Sequence, residues 1–209
     1  MISPRHIEKV LAGEGDDLVA VQSAWSVDLG DGDDGLFATD LVAFVVGGAG
    51  DDAVTVGSTY LAELGDGDDT FKACGYSAVY GGDGNDVMRL EGGGVALGGA
   101  GDDHIEVGGA SGWLLGEDGD DTAVIAAPPD GSGAFRFDGG AGRDTVRIEL
   151  GEAPSALDTL EIMHDVWQIA GNGGNGTIDP LGVTLANVER IEVFVGDALM
   201  IGFEVEPLA

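Results

Sequence analysis

The sequence predicts an all-β fold, a parallel β-roll (β-solenoid) of about eight 17–18-residue coils over residues 1–150, with a β-rich C-terminal cap over 151–209. Three observations predict it. The first is a fixed period. Gly98-Gly99-Ala100-Gly101-Asp102-Asp103-His104-Ile105-Glu106-Val107 joins a glycine-rich turn to a short alternating run, and its copies end in Asp17, Asp34, Asp52, Asp69, Asp86, Asp103, Asp121 and Asp144. Their spacings are 17, 18, 17, 17, 17, 18 and 23 residues, and self-similarity at a fixed period marks stacked repeats. The second is alternation around each turn. The positions two and four after the aspartate hold Val19/Val21, Leu36/Ala38, Val54/Val56, Phe71/Ala73, Met88/Leu90, Ile105/Val107, Ala123/Ile125 and Val146/Ile148, all apolar. Seven before it stand Val10, Val27, Val45, Ala62, Val79, Ala96, Leu114 and Phe137. Period two with one apolar face means a strand on each side of the turn.

The third is an unusual balance of charge and apolar content. Lys and Arg number 8 against 39 Asp and Glu, a formal charge of -31, yet 44% of the chain is hydrophobic. A disordered acidic chain is poor in apolar residues, and a nucleic-acid binder needs a basic footprint. Neither fits. Carboxylates crowded this densely repel one another in any compact state, so cations are expected to belong to the folded form.

Taken in order, Ile7 to Leu11 reads as the first strand, with almost no cap before it. That fits a fragment of a longer protein, or a solenoid whose first edge is covered by something else. Each repeat is then strand, glycine turn, strand and return turn. At about 4.8 Å per stacked strand, eight coils make a rod roughly 35–40 Å long. The return turns (22–24, 57–59, 74–76, 91–93 and 108–111) carry little pattern. The insertion Pro128-Pro129-Asp130-Gly131-Ser132-Gly133 accounts for the 23-residue spacing. It is expected to protrude on the side away from the aspartates and leave their stack unbroken. Beyond residue 150 the repeat stops; Leu157 to Ile169 and Val183 to Val195 read as strands flanking a loop at Gly171–Gly176.

The turn suggests a chemistry. Alternating glycines permit positive φ and let carbonyls converge; the closing carboxylate adds charge, and the next coil brings a second set. About six oxygens gathered this way suit a hard cation such as Ca²⁺, and suit Mg²⁺ less because it demands a tight octahedron. The candidate ligands are Asp17, Asp34, Asp52, Asp69, Asp86, Asp103, Asp121 and Asp144, with turn residues Gly13, Gly15, Gly30, Gly32, Gly48, Gly50, Gly65, Gly67, Gly82, Gly84, Gly99, Gly101, Gly119, Gly140 and Gly142. Eight turns leave room for up to about seven ions between neighbours. The alternative is a set of turn aspartates that need no metal. It does not explain the second acid in six turns: Asp16, Asp33, Asp51, Asp68, Asp102 and Asp120. Those six are expected to face outward as a solvated stripe.

Outward positions on the incoming strands form an apolar band: Phe44, Val46, Leu61, Tyr80, Val95, Leu97, Trp113 and Leu115. A band of that size is unusual on a free surface. The simpler expectation is that residues 151–209 fold over it; the other is a docking surface for a partner domain or a second copy. His104 reads as a plain surface histidine, and His6 and His164 lack partners at ligand spacing. Cys74, the single cysteine, rules out an internal disulfide and has nothing nearby to activate it. No Ser-His-Asp arrangement, Walker-type loop or HExxH motif occurs, so the expectation is a non-enzyme. No N-terminal export segment and no apolar run of about 18 residues is present. The chain reads as soluble, either intracellular or exported by a route that ignores the N-terminus.

These residues resemble the RTX (repeats-in-toxin, haemolysin-type) calcium-binding β-rolls, whose nonapeptide is Gly-Gly-x-Gly-x-Asp-x-U-x, with U a large apolar residue. Residues 98–106 match it throughout, and the resemblance covers about residues 7–150. Ala12, Leu29 and Leu64 replace the first glycine of three copies, and Glu117 the second glycine of another. The common form alternates motifs on both edges of the roll. Here one motif serves each 17–18-residue coil, so calcium is expected along one edge only. Arg143 stands where earlier turns carry Asp or Asn, as a fixed charge closing the stack. The resemblance implies Ca²⁺-driven folding outside the cell. It implies a scaffold, secretion or stability module, and type I secretion through a C-terminal signal. Residues 182–194 resemble the segment that often closes such rolls, and the acidic, apolar Phe203–Ala209 is compatible with an export tail. The alternatives are a Ca²⁺-dependent binding or adhesion module (polysaccharide, partner protein or surface) and an accessory domain of a larger secreted enzyme. Ice-binding relatives present Thr and Asn outward on their turns; Glu14/Asp16, Ala49/Asp51 and Asp66/Asp68 here argue against ice.

Overall fold

A computed structural model describes residues 7–109, 111–128 and 132–205. The incoming strands are β1 (Ile7–Glu14), β3 (Ala24–Asp31), β5 (Val42–Ala49), β7 (Thr59–Asp66), β9 (Tyr76–Asp83), β11 (Val95–Ala100), β13 (Ser111–Asp118) and β15 (Ala134–Ala141). The outgoing strands are β2 (Leu18–Val21), β4 (Gly35–Ala38), β6 (Ala53–Val56), β8 (Thr70–Ala73), β10 (Val87–Glu91), β12 (His104–Gly108), β14 (Thr122–Ala127) and β16 (Thr145–Leu150). Incoming strands pair only with incoming strands and outgoing with outgoing, all in parallel. The result is a two-sheet parallel β-solenoid of eight rungs, or about seven complete turns, with the glycine bends along one edge.

Register follows the repeat. Val10, Val27, Val45, Ala62, Val79, Ala96, Leu114 and Phe137 are successive partners across the incoming sheet. All but Val10, on the first described rung, are essentially inaccessible. The inward residues of the outgoing strands behave alike: from Leu36 to Ile148 every one is buried, while Val19 and Val21 are half-buried. A slip of one residue would turn each such row to solvent, so the alternating pattern and the stacking specify one another. The loop between β14 and β15 leaves on the side opposite the aspartates, as expected; residues 129–131 lie outside the described residues.

The C-terminal segment departs from expectation. Leu157 to Ile169, read above as a strand, belongs to helix α1 (Ala156–Gly171). Ser155 caps it: its Oγ accepts from Asp158 N–H, and the Asp158 carboxylate accepts from the Ser155 N–H and hydroxyl, a reciprocal cap. Ile162, Val166 and Ile169 are the buried residues of α1 and fall at helical spacing. Gly171 ends the helix, and β17 (Gly176–Ile178) and a short 3₁₀ turn (Asp179–Leu181) come next. Val183 to Val195, read as one strand region, is two: β18 (Val183–Ala186) and β19 (Arg190–Val195).

These two strands add a ninth rung. β18 pairs parallel to β15 with Leu185 opposite Phe137, and β19 parallel to β16 with Ile191 opposite Val146. Only then does each sheet end in an antiparallel strand, β17 on one side and β20 (Ala198–Glu204) on the other. One continuous apolar core runs from the first coils to Ile162, Val166 and Ile201.

A second departure concerns the apolar band. Helix α1 packs against β17, the 3₁₀ turn and β20, at the end of the rod, and does not fold over the band. Phe44, Leu61, Val95 and Trp113 lie in one outward row, Val46, Tyr80, Leu97 and Leu115 in the next, with Glu63 interrupting the second. Trp113 remains 59% exposed and Tyr80 41%. Trp25, absent from the expected band, extends it through an edge-on contact with Phe44, ring centres 5.4 Å apart.

Candidate metal centre

Six of the eight bends carry two neighbouring acids and place them differently. The closing aspartate points inward: Asp34, Asp52, Asp69, Asp86, Asp103, Asp121 and Asp144 are all buried, while Asp17, in the first described bend, is half-buried. Each inward carboxylate uses Oδ1 to accept the backbone N–H of the closing aspartate one coil earlier, from Asp17 N–H to Asp34 at 2.7 Å through Asp121 N–H to Asp144 at 2.9 Å. The insertion leaves this ladder unbroken, as the sequence suggested.

The other oxygen is the unusual one. Oδ2 of Asp34, Asp52, Asp69, Asp86, Asp103, Asp121 and Asp144 is buried and accepts no hydrogen bond. At Gly98, a methyl group in place of hydrogen would collide with both Asp103 Oδ2 and the Gly116 carbonyl oxygen of the next coil. The same pair of oxygens meets at Gly81 (Asp86 and Gly98), at Gly116 (Asp121 and Gly139) and at Gly47 (Asp52 and Leu64). Two acceptors crowded together out of water, with no donor between them, are destabilising unless a proton or a cation joins them.

Burial raises six of these carboxyls above the ordinary 3.8. Asp52 and Asp86 rise to about 6, Asp69, Asp103 and Asp144 to about 7, and Asp121 is also raised. The N–H bond from the preceding coil opposes the rise, and adjacent carboxylates reinforce it. In the metal-free chain the proton is therefore a real competitor for the place between Oδ2 and the carbonyl.

The turn glycines hold the geometry. Gly82 and Gly84 have φ near +129° and +137°, and a side chain at either would strike the backbone one coil earlier. Glu117 adopts φ +83° where the other copies use glycine, a strained conformation for a residue with a side chain. The expected second- and fourth-place glycines thus shape the bend. The carbonyls that approach the unpaired Oδ2 come from the first place of the motif, at Leu64, Gly98, Gly116 and Gly139, which sequence reasoning missed. The signal was available in part, since the first place tolerates Leu29 and Leu64, as a position contributing only its main chain would.

The outer acids form a second ladder, also unanticipated. Asp33 N–H donates to Asp16 Oδ1, and the pattern continues through Asp51, Asp68, Asn85, Asp102 and Asp120 to Arg143 N–H on Asp120. These side chains are exposed, as expected of a solvated stripe. Arg143 ends this ladder because it offers no acceptor to a further coil. The inner ladder continues one step: Asp144 N–H donates to Glu189 Oε2 at 2.8 Å.

Among the described residues no three His, Cys, Asp or Glu side chains gather as a side-chain metal site. An ion here would be held by one inward carboxylate per coil, with main-chain carbonyls completing its shell. The donor set is all oxygen, which fits a hard cation. His104 is half-buried, His164 and Cys74 are exposed, and His6 lies outside the described residues.

Fold and site together define a class: a parallel β-solenoid with a buried aspartate ladder suggestive of ion binding. No protein-family model, curated protein or solved structure matches the chain in comparison. No helix among the described residues is long and apolar enough to cross a membrane.

Proposed function

We propose that the chain is a non-catalytic, calcium-binding β-roll module of the RTX kind. It acts outside the cell as a scaffold, secretion or stability domain, and its folding is driven by Ca²⁺. The observation that carries this reading is the row of seven buried Oδ2 atoms without a donor, facing carbonyls of the next coil wherever a glycine reports the contact. Gly13, Gly15 and their counterparts hold the positive φ that shapes each bend, and on this reading the ion sits between successive bends. Where free Ca²⁺ is submicromolar, the ladder carboxylates repel or take up protons and stacking is weak. At millimolar Ca²⁺ the binding free energy becomes folding free energy. Export through a C-terminal type I signal belongs to the same reading; Glu206–Ala209 of that tail lie outside the described residues.

The test is calorimetric calcium titration with simultaneous circular dichroism. Several ions should bind as β-structure appears, and magnesium should substitute poorly. Titration without heat, or a fully formed spectrum in excess chelator at pH 8, would overturn the reading. The uncovered band around Trp113 and Tyr80 supports a second role, calcium-dependent binding of a partner protein or surface, alone or beside an enzyme domain. A pull-down in calcium and in chelator, with Trp113→Ser as control, separates it from a purely structural role.

A further inference from the structure

The repeat ends at Asp144, and counting motifs gives no ion position beyond it. The fold supplies one. Asp144 is 1% exposed and its Oδ2 accepts no hydrogen bond, although no glycine-rich coil comes after it in the chain. Its neighbour in space is the turn Asn187-Val188-Glu189, between β18 and β19. A methyl at Gly139 would collide with Asp144 Oδ2 and with the Asn187 carbonyl oxygen, the same pair of acceptors that meets at Gly98 and Gly116. Glu189 occupies the place of the next closing aspartate. Its Oε2 accepts from Asp144 N–H, and Arg190 N–H donates to the Asp144 carbonyl as Thr145 N–H does to Asp121.

The turn is shorter than a repeat bend. Asn187 and Glu189 stand two residues apart where Gly139 and Asp144 stand five apart. Glutamate has one more methylene than aspartate, and that reach offsets the shorter bend. The Asn187 carbonyl is fixed in place. The residue has φ +50°, its Nδ2 donates to Asp138 at 2.7 Å, and its N–H donates to Asn175 Oδ1. From the other side Gly174 packs against the Val188 backbone so closely that no side chain would fit there.

Building on the calcium reading proposed for the bends, we infer that the C-terminal segment completes one further cation position. It lies between Asp144 Oδ2 and the Asn187 carbonyl, with Glu189 supplying the second carboxylate, and it takes a hard divalent ion such as calcium. This position differs in consequence from the interior ones. It joins the last repeat to β18 and β19, so the cation fastens the cap to the rod, and docking of the cap becomes sensitive to the ion.

The direct test is anomalous diffraction from crystals of the full chain grown in calcium. A peak is expected between Asp144 Oδ2 and Asn187 O. Peaks at the interior bends with none there would overturn this inference and leave the calcium reading standing; no peak at any bend would overturn both. In solution, Glu189→Gln keeps an oxygen for the Asp144 N–H and removes only charge. By calorimetry it should weaken one ion about tenfold and leave the others unchanged, since affinity follows ligand charge. Glu192→Gln, which removes the same charge from an Arg190 pair, should leave the isotherm as in the wild type. A Glu189→Gln isotherm superimposable on the wild type would remove Glu189 from the site.

Discussion

Asp102 and Asp103 are chain neighbours in one bend, and each accepts one backbone N–H from an adjoining coil. They do so in opposite directions along the rod: Asp102 from Asp120 ahead, Asp103 from Asp86 behind. One is exposed and water can serve its second oxygen. The other is 2% exposed; its second oxygen accepts no hydrogen bond, and a methyl group at Gly98 would strike both that oxygen and the Gly116 carbonyl oxygen. Residue type is the same; burial decides which carboxylate needs a counterion. The exposed row contributes hydrogen bonds and repels weakly through water, whereas the inner row is destabilising whenever it is ionised and bare.

The largest expected effect is removal of the ion. At pH 8, excess chelator should abolish most β circular dichroism, because the ionised carboxylates of the buried ladder would then have no counterion. The second effect is acid rescue. Folded-state values near 6 to 7 lie above the ordinary 3.8, so the folded chain binds more protons than the unfolded one between those limits. The protonated ladder's stability is fully present below about pH 4 and is lost as pH rises through about 7. In chelator, then, melting temperature should rise as pH falls from 8 to 5. In saturating calcium it should fall instead, because protons displace the ion. A chelated sample whose melting point ignores pH would contradict the buried ladder.

Third comes position along the row. Asp86→Ala leaves the buried Asp69 N–H unpaired and should cost about 1–3 kcal/mol by denaturant titration. Asp17→Ala, at the half-buried first described bend, should cost less than about 0.5 kcal/mol. Smallest and sharpest is the pair Asp103→Asn and Asp102→Asn. An amide at 103 can donate to Gly116 O while Oδ1 still accepts from Asp86. The variant should therefore be stabilised by about 1 kcal/mol in chelator and destabilised in calcium. Asp102→Asn should change neither by more than about 0.5 kcal/mol. Equal behaviour of the two variants would erase the distinction drawn between the ladders.

Two regions also differ in how far their sequence could be read. Through Asp144 the period supplies so many copies that strands, bends, inward residues and the inward aspartates were legible directly. Beyond it, a single copy of each signal remained. The Ser155–Asp158 cap and the spacing of Ile162, Val166 and Ile169 mark a helix, yet an apolar stretch next to sixteen strands invites a strand reading.

By itself the sequence determined the coil, its register and the acids that face inward, because each of these is a local, repeated choice of side chain on a pleated backbone. Three matters were decided only in three dimensions. Main-chain carbonyls at Leu64, Gly98 and Gly116 face the ladder, and a carbonyl leaves no trace in residue type. The two acid rows hydrogen-bond in opposite directions, which depends on how successive bends overlap. Glu189 joins the ladder from 45 residues beyond Asp144, since what it shares with the repeat is a place in the stack rather than a motif.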